Sequence, residues 1–345
     1  MKTIKTYFAS ANSYDGFKSN FSTVFNPSDF EKIYVIKGGP GTGKSTLMRT
    51  VARKFENESN VDFTEILCSS DPASLDGIIL ESSKAKVAIL DGTSPHVYEP
   101  IYPGACEELI DLGIGFNQKE LRGCKKNIVE LSKHKKDAYK SAYNYLALAG
   151  KMRSEIEVIF NSIDIYSKAE ERFDGLLECV MTESATTWRG DYYYTTAFNK
   201  NGFSYAPIAE KTRNTISVSG DGLTQYVLMK MLRERLLELG AVEQICNSPL
   251  TDTAPDTLFT EGKIFTVDNT SNTVIDTCVL INALPDEYTV LKKMHDDLLE
   301  LSKRSFKLAA EKHSCLEKIY SQNTDFRKNK QIVERIFLET KDMLL

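Results

Sequence analysis

IKGGPGTGKST, residues 36–46, sets a glycine-crowded turn directly before a lysine and two hydroxyl side chains. The segment ahead of it, Lys32 to Lys37, carries Ile33, Tyr34, Val35 and Ile36, a β-branched and aromatic run of buried-strand character. Behind it Leu47, Met48, Val51 and Phe55 recur at helical spacing, which predicts a helix over 46–55. Strand, glycine loop and helix in that order are the setting of a phosphate-binding loop, and Gly38, Gly43, Lys44 and Ser45 fill the pattern G-x-x-x-x-G-K-[ST].

The chemistry accounts for the residue types. Successive backbone N–H groups at a helix start form a concave site for an anion as dense as a triphosphate. The predicted cradle is Gly38, Gly39, Pro40, Gly41, Thr42, Gly43, Lys44, Ser45 and Thr46. Within it Lys44 reaches the β and γ phosphates as a point charge, and the Ser45 hydroxyl takes a coordination position on Mg2+. A neighbouring strand supplies the carboxylate that holds this ion, and Val87 to Leu90 read as that strand with Asp91 at its end. Gly92 follows, where a second carboxylate would polarise an attacking water, so fast hydrolysis is not implied. Replacement bases are Asp71 or Asp76 in CSSDPASLD, a stretch expected at the ligand edge of the sheet. His96, five residues beyond Asp91, is a further candidate to contact phosphate or carry a proton. Arg189 is a candidate arginine finger acting across a domain interface.

A chain of 345 residues exceeds one ordinary core, so two domains are expected. A net charge of −5 does not describe a nucleic-acid binder. The seven cysteines are scattered without C-x-x-C spacing, which argues for reduced thiols in the cytoplasm and against a zinc site or a disulfide framework. No apolar run is long enough to span a bilayer, and the apolar part of MKTIKTYFASA is too short for a signal peptide.

TYFASANSYDGF (6–17) aligns with YYYTTAFNKNGF (192–203), KVAILDGTS (86–94) with KIFTVDNTS (263–271), and ELSK (130–133) with ELSK (300–303). Order and approximate spacing hold throughout, with small gaps, which reads as two copies of one α/β unit, 1–183 and 184–345. The expected fold is therefore two tandem P-loop NTPase-like units, each a mainly parallel sheet flanked by helices, with long helical hairpin extensions. The first extension is expected over 119–177, beside its own sheet. Its lysines, Lys125, Lys126, Lys133, Lys135, Lys136 and Lys140, alternate with Glu130 and Asp137 and read as a solvated face.

In the second copy SVSGDGLTQYVLMKML replaces the loop, with Thr224, Gln225 and Tyr226 at the positions of Gly43, Lys44 and Ser45. Loss of the lysine alone weakens nucleotide binding roughly 10- to 100-fold. One competent site and one degenerate site are expected.

GGPGTGKST, CSSDPASLD, ILDGTSPH and the worn second copy together resemble a bacterial family of duplicated P-loop ATPases, and the resemblance covers nearly the whole chain. It implies a tandem pair of P-loop domains, with ATP bound by the first. Gln225 and Tyr226 depart from a usable second loop. Three readings follow: a slow magnesium-dependent ATPase, a nucleotide or small-molecule kinase, and a nucleotide-gated module whose helices bind a protein partner. No N-K-x-D sequence supports GTP, so adenine is the default base.

Overall fold

The computed structural model describes residues 4–180, 190, 192–208, 213–268 and 271–345; the expected boundary at 183/184 and Arg189 lie outside them. The chain forms an α/β fold around two mixed sheets. The first half supplies β1 (Ile4–Phe8), a hairpin of β2 (Ser10–Ser13) and β3 (Gly16–Ser19), and a short α1 (Phe21–Val24). There follow β4 (Lys32–Lys37), α2 (Lys44–Lys54), β5 (Asp62–Leu67), β6 (Leu75–Glu81), β7 (Lys86–Asp91) and β8 (Glu107–Asp111). The first sheet runs β1-β5-β6-β7-β4-β8.

The sheet is mixed but mainly parallel, as expected: β1 lies parallel to β5, and β6 alone of the six strands is reversed. β4 lies parallel to both β7 and β8, but β6 runs antiparallel to β5 and β7. The cause is the four-residue link 82–85, long enough for a hairpin and too short for the crossover that parallel neighbours require. The second sheet repeats the mixture. It takes β11 (Asn214–Ser219), β12 (Gln244–Asn247), β13 (Pro255–Phe259), β14 (Lys263–Thr266) and β15 (Thr273–Asp276) in the order β12-β13-β14-β11-β15. Here too a glycine loop and a helix, α6 (Leu223–Glu238), follow the strand second from the edge, and a hairpin of β9 (Thr196–Asn199) and β10 (Gly202–Tyr205) precedes it.

β4 is a continuous apolar run because both of its faces are covered. Tyr34 and Ile36 pack with Leu47, Met48 and Val51 of α2, while Ile33 and Val35 pack with Phe21, Phe25 and Tyr98.

The expected hairpin over 119–177 does not form within that stretch. After α3 (Gln118–Gly123), α4 (Lys125–Ser162) is a single long helix, and its partner is α7 (Asp286–Gln322) from the second half. They run antiparallel: Phe160 stacks on Tyr288, Tyr143 and Tyr139 meet Phe306 edge-on, and the Ser302 hydroxyl donates to the Ala142 carbonyl at 3.0 Å. Leu148 points to solvent, and Ala142, Leu146 and Ala149 make the buried stripe.

The helices that follow are exchanged between the halves. α5 (Ile165–Val180) places Ile165 and Ala169 against Leu223 and Val227 of α6. α8 (Arg327–Leu344) crosses back to the first sheet, where Val333, Ile336 and Leu344 join the α2 core. Polar contacts fix α8 there: Tyr34 donates to Glu339 at 2.7 Å, and Lys54 and Arg335 pair with Glu334 and Glu108 at 2.7 and 2.6 Å. The hairpins are exchanged as well. Tyr14, at the tip of the first, donates its amide to the Leu250 carbonyl at 3.2 Å and pairs its hydroxyl with His295 at 2.8 Å. Lys200, at the tip of the second, reaches Asp71 at 3.2 Å. Among the described residues no helix is long and apolar enough to cross a membrane.

Candidate functional site

The 38–45 loop joins the end of β4 to the start of α2, whose first amides lack intrahelical acceptors as at any helix start. Gly41 and Gly43 have φ of +70° and +86°, a left-handed backbone that selects glycine. A Cβ on Gly41 would also stand 2.5 Å from the Glu317 carbonyl oxygen, because the corner between α7 and α8 sits on the loop. Asn329 of α8 donates to the Thr42 carbonyl at 2.8 Å, so the second half holds the loop's outer side.

Lys44 Nζ donates to the carbonyls of Gly38 and Gly39 at 3.2 and 3.1 Å and faces Asp91 Oδ2 at 3.5 Å. Asp91 divides its oxygens. Oδ1 accepts from the amide and hydroxyl of Thr93 at 2.9 and 2.6 Å, which leaves Oδ2 toward Lys44. Burial lifts its carboxyl above the ordinary range, against the opposing pull of Lys44 and Thr93. The Ser45 hydroxyl accepts from the Leu75 amide at 3.0 Å, which ties the loop to the head of β6.

Around this centre stand charges that the sequence pattern did not single out. Lys135 is half-buried on α4, unlike its exposed neighbours Lys133 and Lys136, and burial with the field of Lys44 lowers its pKa. The expectation of a wholly solvated lysine face therefore fails at this one residue. On α7, His313 is driven down to about 4 by burial and by Lys135, Lys44 and Lys200. Glu317, 3.7 Å from His313, is pushed up by burial first and then by Asp71, despite Lys44, Lys200 and Lys135. Groups from the loop, α4, the β9–β10 hairpin and α7 thus share one electrostatic site. Their sequence separation hid the convergence.

The candidates Asp71, Asp76 and His96 do not stand free. Asp71 pairs with Lys200. Asp76 and His96 lie 2.9 Å apart and almost fully buried, in contact with each other. Burial opposes the charge on His96, and the Asp76 carboxylate outweighs it, holding the imidazole above its ordinary value.

The corresponding turn of the second half is built differently. Asp221 Oδ1 accepts from the amides of Leu223 and Thr224 at 3.0 and 2.8 Å, so a carboxylate of the chain already caps the start of α6. Gln225 donates to the Val218 carbonyl at 2.6 Å, and the Arg153 guanidinium lies 3.6 Å over the Tyr226 ring. No family model, curated protein or solved structure matches the chain. The reading of both sites therefore rests on their geometry.

Beside Tyr226 a cavity of about 180 Å3 is lined by Tyr14, Arg153, His295 and Asp256 among others. Asp256 is buried, and desolvation raises its pKa to about 6 although the Thr196 and Ser248 hydroxyls donate to it. A carboxyl with a raised folded-state pKa stabilises the fold below its unfolded value near 3.8, and that contribution is lost as pH rises through about 6. At about 1.4 kcal/mol per pKa unit the loss is roughly 3 kcal/mol. Asp256→Asn is expected to raise the melting temperature at pH 7.5 and to flatten the stability profile between pH 4 and 6. An unchanged profile would show that Asp256 is ionised without penalty.

Proposed function

We propose that the chain is a magnesium-dependent ATP-binding protein with slow hydrolysis at one site, the 38–45 loop, within a tandem pair of P-loop NTPase-like units. The observation that carries this reading is the glycine loop at the start of α2, with Lys44 Nζ on the loop's own carbonyls and Asp91 opposite it, and with Lys135 and Lys200 in the same field beside Glu317 and Asp71. A triphosphate is the ligand whose charge such a site matches. The identical order of equivalent strands in the two sheets supports the duplication. Asp221, which caps its own helix, supports a second site closed to phosphate.

The residues fit a magnesium nucleotide. Ser45 and Asp91 would hold the ion, since Asp91 keeps one oxygen on Thr93 and turns the other to the loop. When bound, Mg2+ supplies neutralisation of charge on the phosphate oxygens. Lys44 and Lys135 stabilise the anion from the first half. Lys200 adds a cation from the second half, in the manner of a finger supplied in cis by another part of the chain. Glu317, kept basic by its raised pKa, accepts a proton from an attacking water in place of the carboxylate that Gly92 lacks. Asp71, Lys44, Lys200, Lys135 and His313 face it, so phosphate release is expected to fall on an acid limb lying above the ordinary glutamate range.

Calorimetric titration with ATP, with and without Mg2+ and with GTP as comparator, tests the reading: one magnesium-dependent site is expected, and absence of binding refutes it. Lys200→Ala is expected to slow phosphate release at saturating ATP about 10- to 100-fold, the worth of one charged hydrogen bond. Undiminished turnover would remove Lys200 from the reaction.

One observation favours a second reading. A Cβ on Gly92 would lie 2.5 Å from Val35 Cγ1, so packing closes that position to glutamate. A kinase, which avoids hydrolysing ATP without its acceptor, suits that arrangement. Phosphate release that rises only on addition of a small-molecule acceptor would select it.

A further inference from the structure

We infer that Cys68, Asp76 and His96 form a binding site for a borderline divalent cation of the zinc type, next to the nucleotide site but sharing none of its proposed magnesium ligands. Their donor atoms, a sulfur, a carboxylate oxygen and an imidazole nitrogen, all lie within 4.8 Å of one another. Donors about 2.0–2.3 Å from a tetrahedral centre stand roughly 3.3–3.6 Å apart, so small side-chain rotations complete the set. Thiolate with imidazole selects zinc over magnesium or calcium, and three protein ligands leave a fourth position open.

The backbone brings the three together from distant points. Cys68 directly follows β5, and its amide donates to the Ser74 carbonyl at 3.0 Å, closing a turn that delivers Asp76 on β6 to the same place. His96 enters from the segment after β7. Phe21 stacks on its imidazole at 4.6 Å and Phe17 flanks it at 5.2 Å, which fixes the ring.

The second observation is an unmet polar demand. Asp76 is 4% exposed and His96 5%, and apart from their mutual contact Asp76 Oδ2 and His96 Nδ1 have no hydrogen-bond partner. The Cys68 thiol donates a hydrogen bond to the Asp76 carboxylate, but a buried ion pair whose remaining polar atoms are unmet returns less than its desolvation costs. The second half offers the contrast. Asp256, the second residue of β13 as Asp76 is of β6, is satisfied by the hydroxyls of Thr196 and Ser248. Where hydroxyls answer one carboxylate, a thiol and an imidazole face the other.

The test uses the full chain, stripped of metal by a chelator and titrated with Co2+ as a spectroscopic substitute for zinc. One equivalent is expected to bind with thiolate-to-cobalt charge transfer and the intensified visible bands of a tetrahedral centre, and zinc should displace it. Cys68→Ser should abolish the charge-transfer band. His96→Gln should weaken binding by more than the 10- to 100-fold that loss of an outer partner brings. Lys44→Ala, which disables the nucleotide site, should leave the cobalt spectrum unchanged. Circular dichroism of each variant establishes that it is folded. Weak non-stoichiometric cobalt binding, or a charge-transfer band that survives in folded Cys68→Ser, overturns the assignment and leaves Asp76 and His96 as a buried ion pair.

Discussion

Lys44→Ala is expected to weaken magnesium-dependent ATP binding roughly 10- to 100-fold and to stop phosphate release. One charged hydrogen bond to phosphate, at about 1.5–3 kcal/mol, would account for the lost affinity. Lys44 is placed for the role because it is largely buried and its Nζ already lies among the Gly38 and Gly39 carbonyls and Asp91. The fold should survive. Asp91 keeps the Thr93 amide and hydroxyl on Oδ1, so its carboxylate is not left without partners when the lysine is removed. The informative comparison is therefore calorimetry and phosphate release on wild type and variant with matched circular dichroism. Wild-type affinity in the variant would sink the nucleotide reading. Lys44→Arg, which keeps the charge but not the shape, should restore little.

The second large effect concerns the exchanged helices. Expressed apart, 1–183 and 184–345 are expected not to fold, and coexpression is expected to recover a complex. The first fragment lacks α8, whose Val333, Ile336 and Leu344 close the core over α2. The second lacks α5, which covers α6, and α4, against which α7 packs. Within the intact chain, Ile336→Ala should cost about 2–5 kcal/mol, as for any large aliphatic side chain lost from a core. Far-UV circular dichroism and melting of the separate fragments provide the test. A cooperative transition in isolated 1–183 would show that its core closes without α8.

How much of this was legible differs from element to element. β4 spans Lys32–Lys37 and β7 ends on Asp91, both as the sequence indicates, because an apolar run bounded by loop chemistry is a local signal. The helix begins at Lys44, two residues before the expected start, since its first turn carries lysine and hydroxyls and no apolar marker. The direction of β6 could not be read, because it depends on a four-residue link that looks like any surface turn. The partner of α4 was hidden for another reason. An amphipathic stripe records that a face is buried and not what buries it. The same holds for Lys135, Lys200, His313 and Glu317, ordinary surface types until the fold sets them around Lys44. Asp76 and His96 were each visible as single candidates. Their pairing came from the turn at 68–74 and the segment after β7, and only coordinates place the two together.

The return of α8 also sets a clock. Lys54 on α2 and Glu334 on α8 are 280 residues apart in the chain, yet they meet across the core of the first sheet. At roughly 5–20 residues per second, a ribosome needs about 15–60 s to deliver the second partner after the first. For that interval the nascent first half carries an uncovered apolar groove beside a glycine loop that still lacks its outer wall. Newly made protein should thus engage chaperones early and shed them late. Any nascent chain halted before α8 would remain a target for proteolysis, so the covering helix acts as a check that translation has passed it.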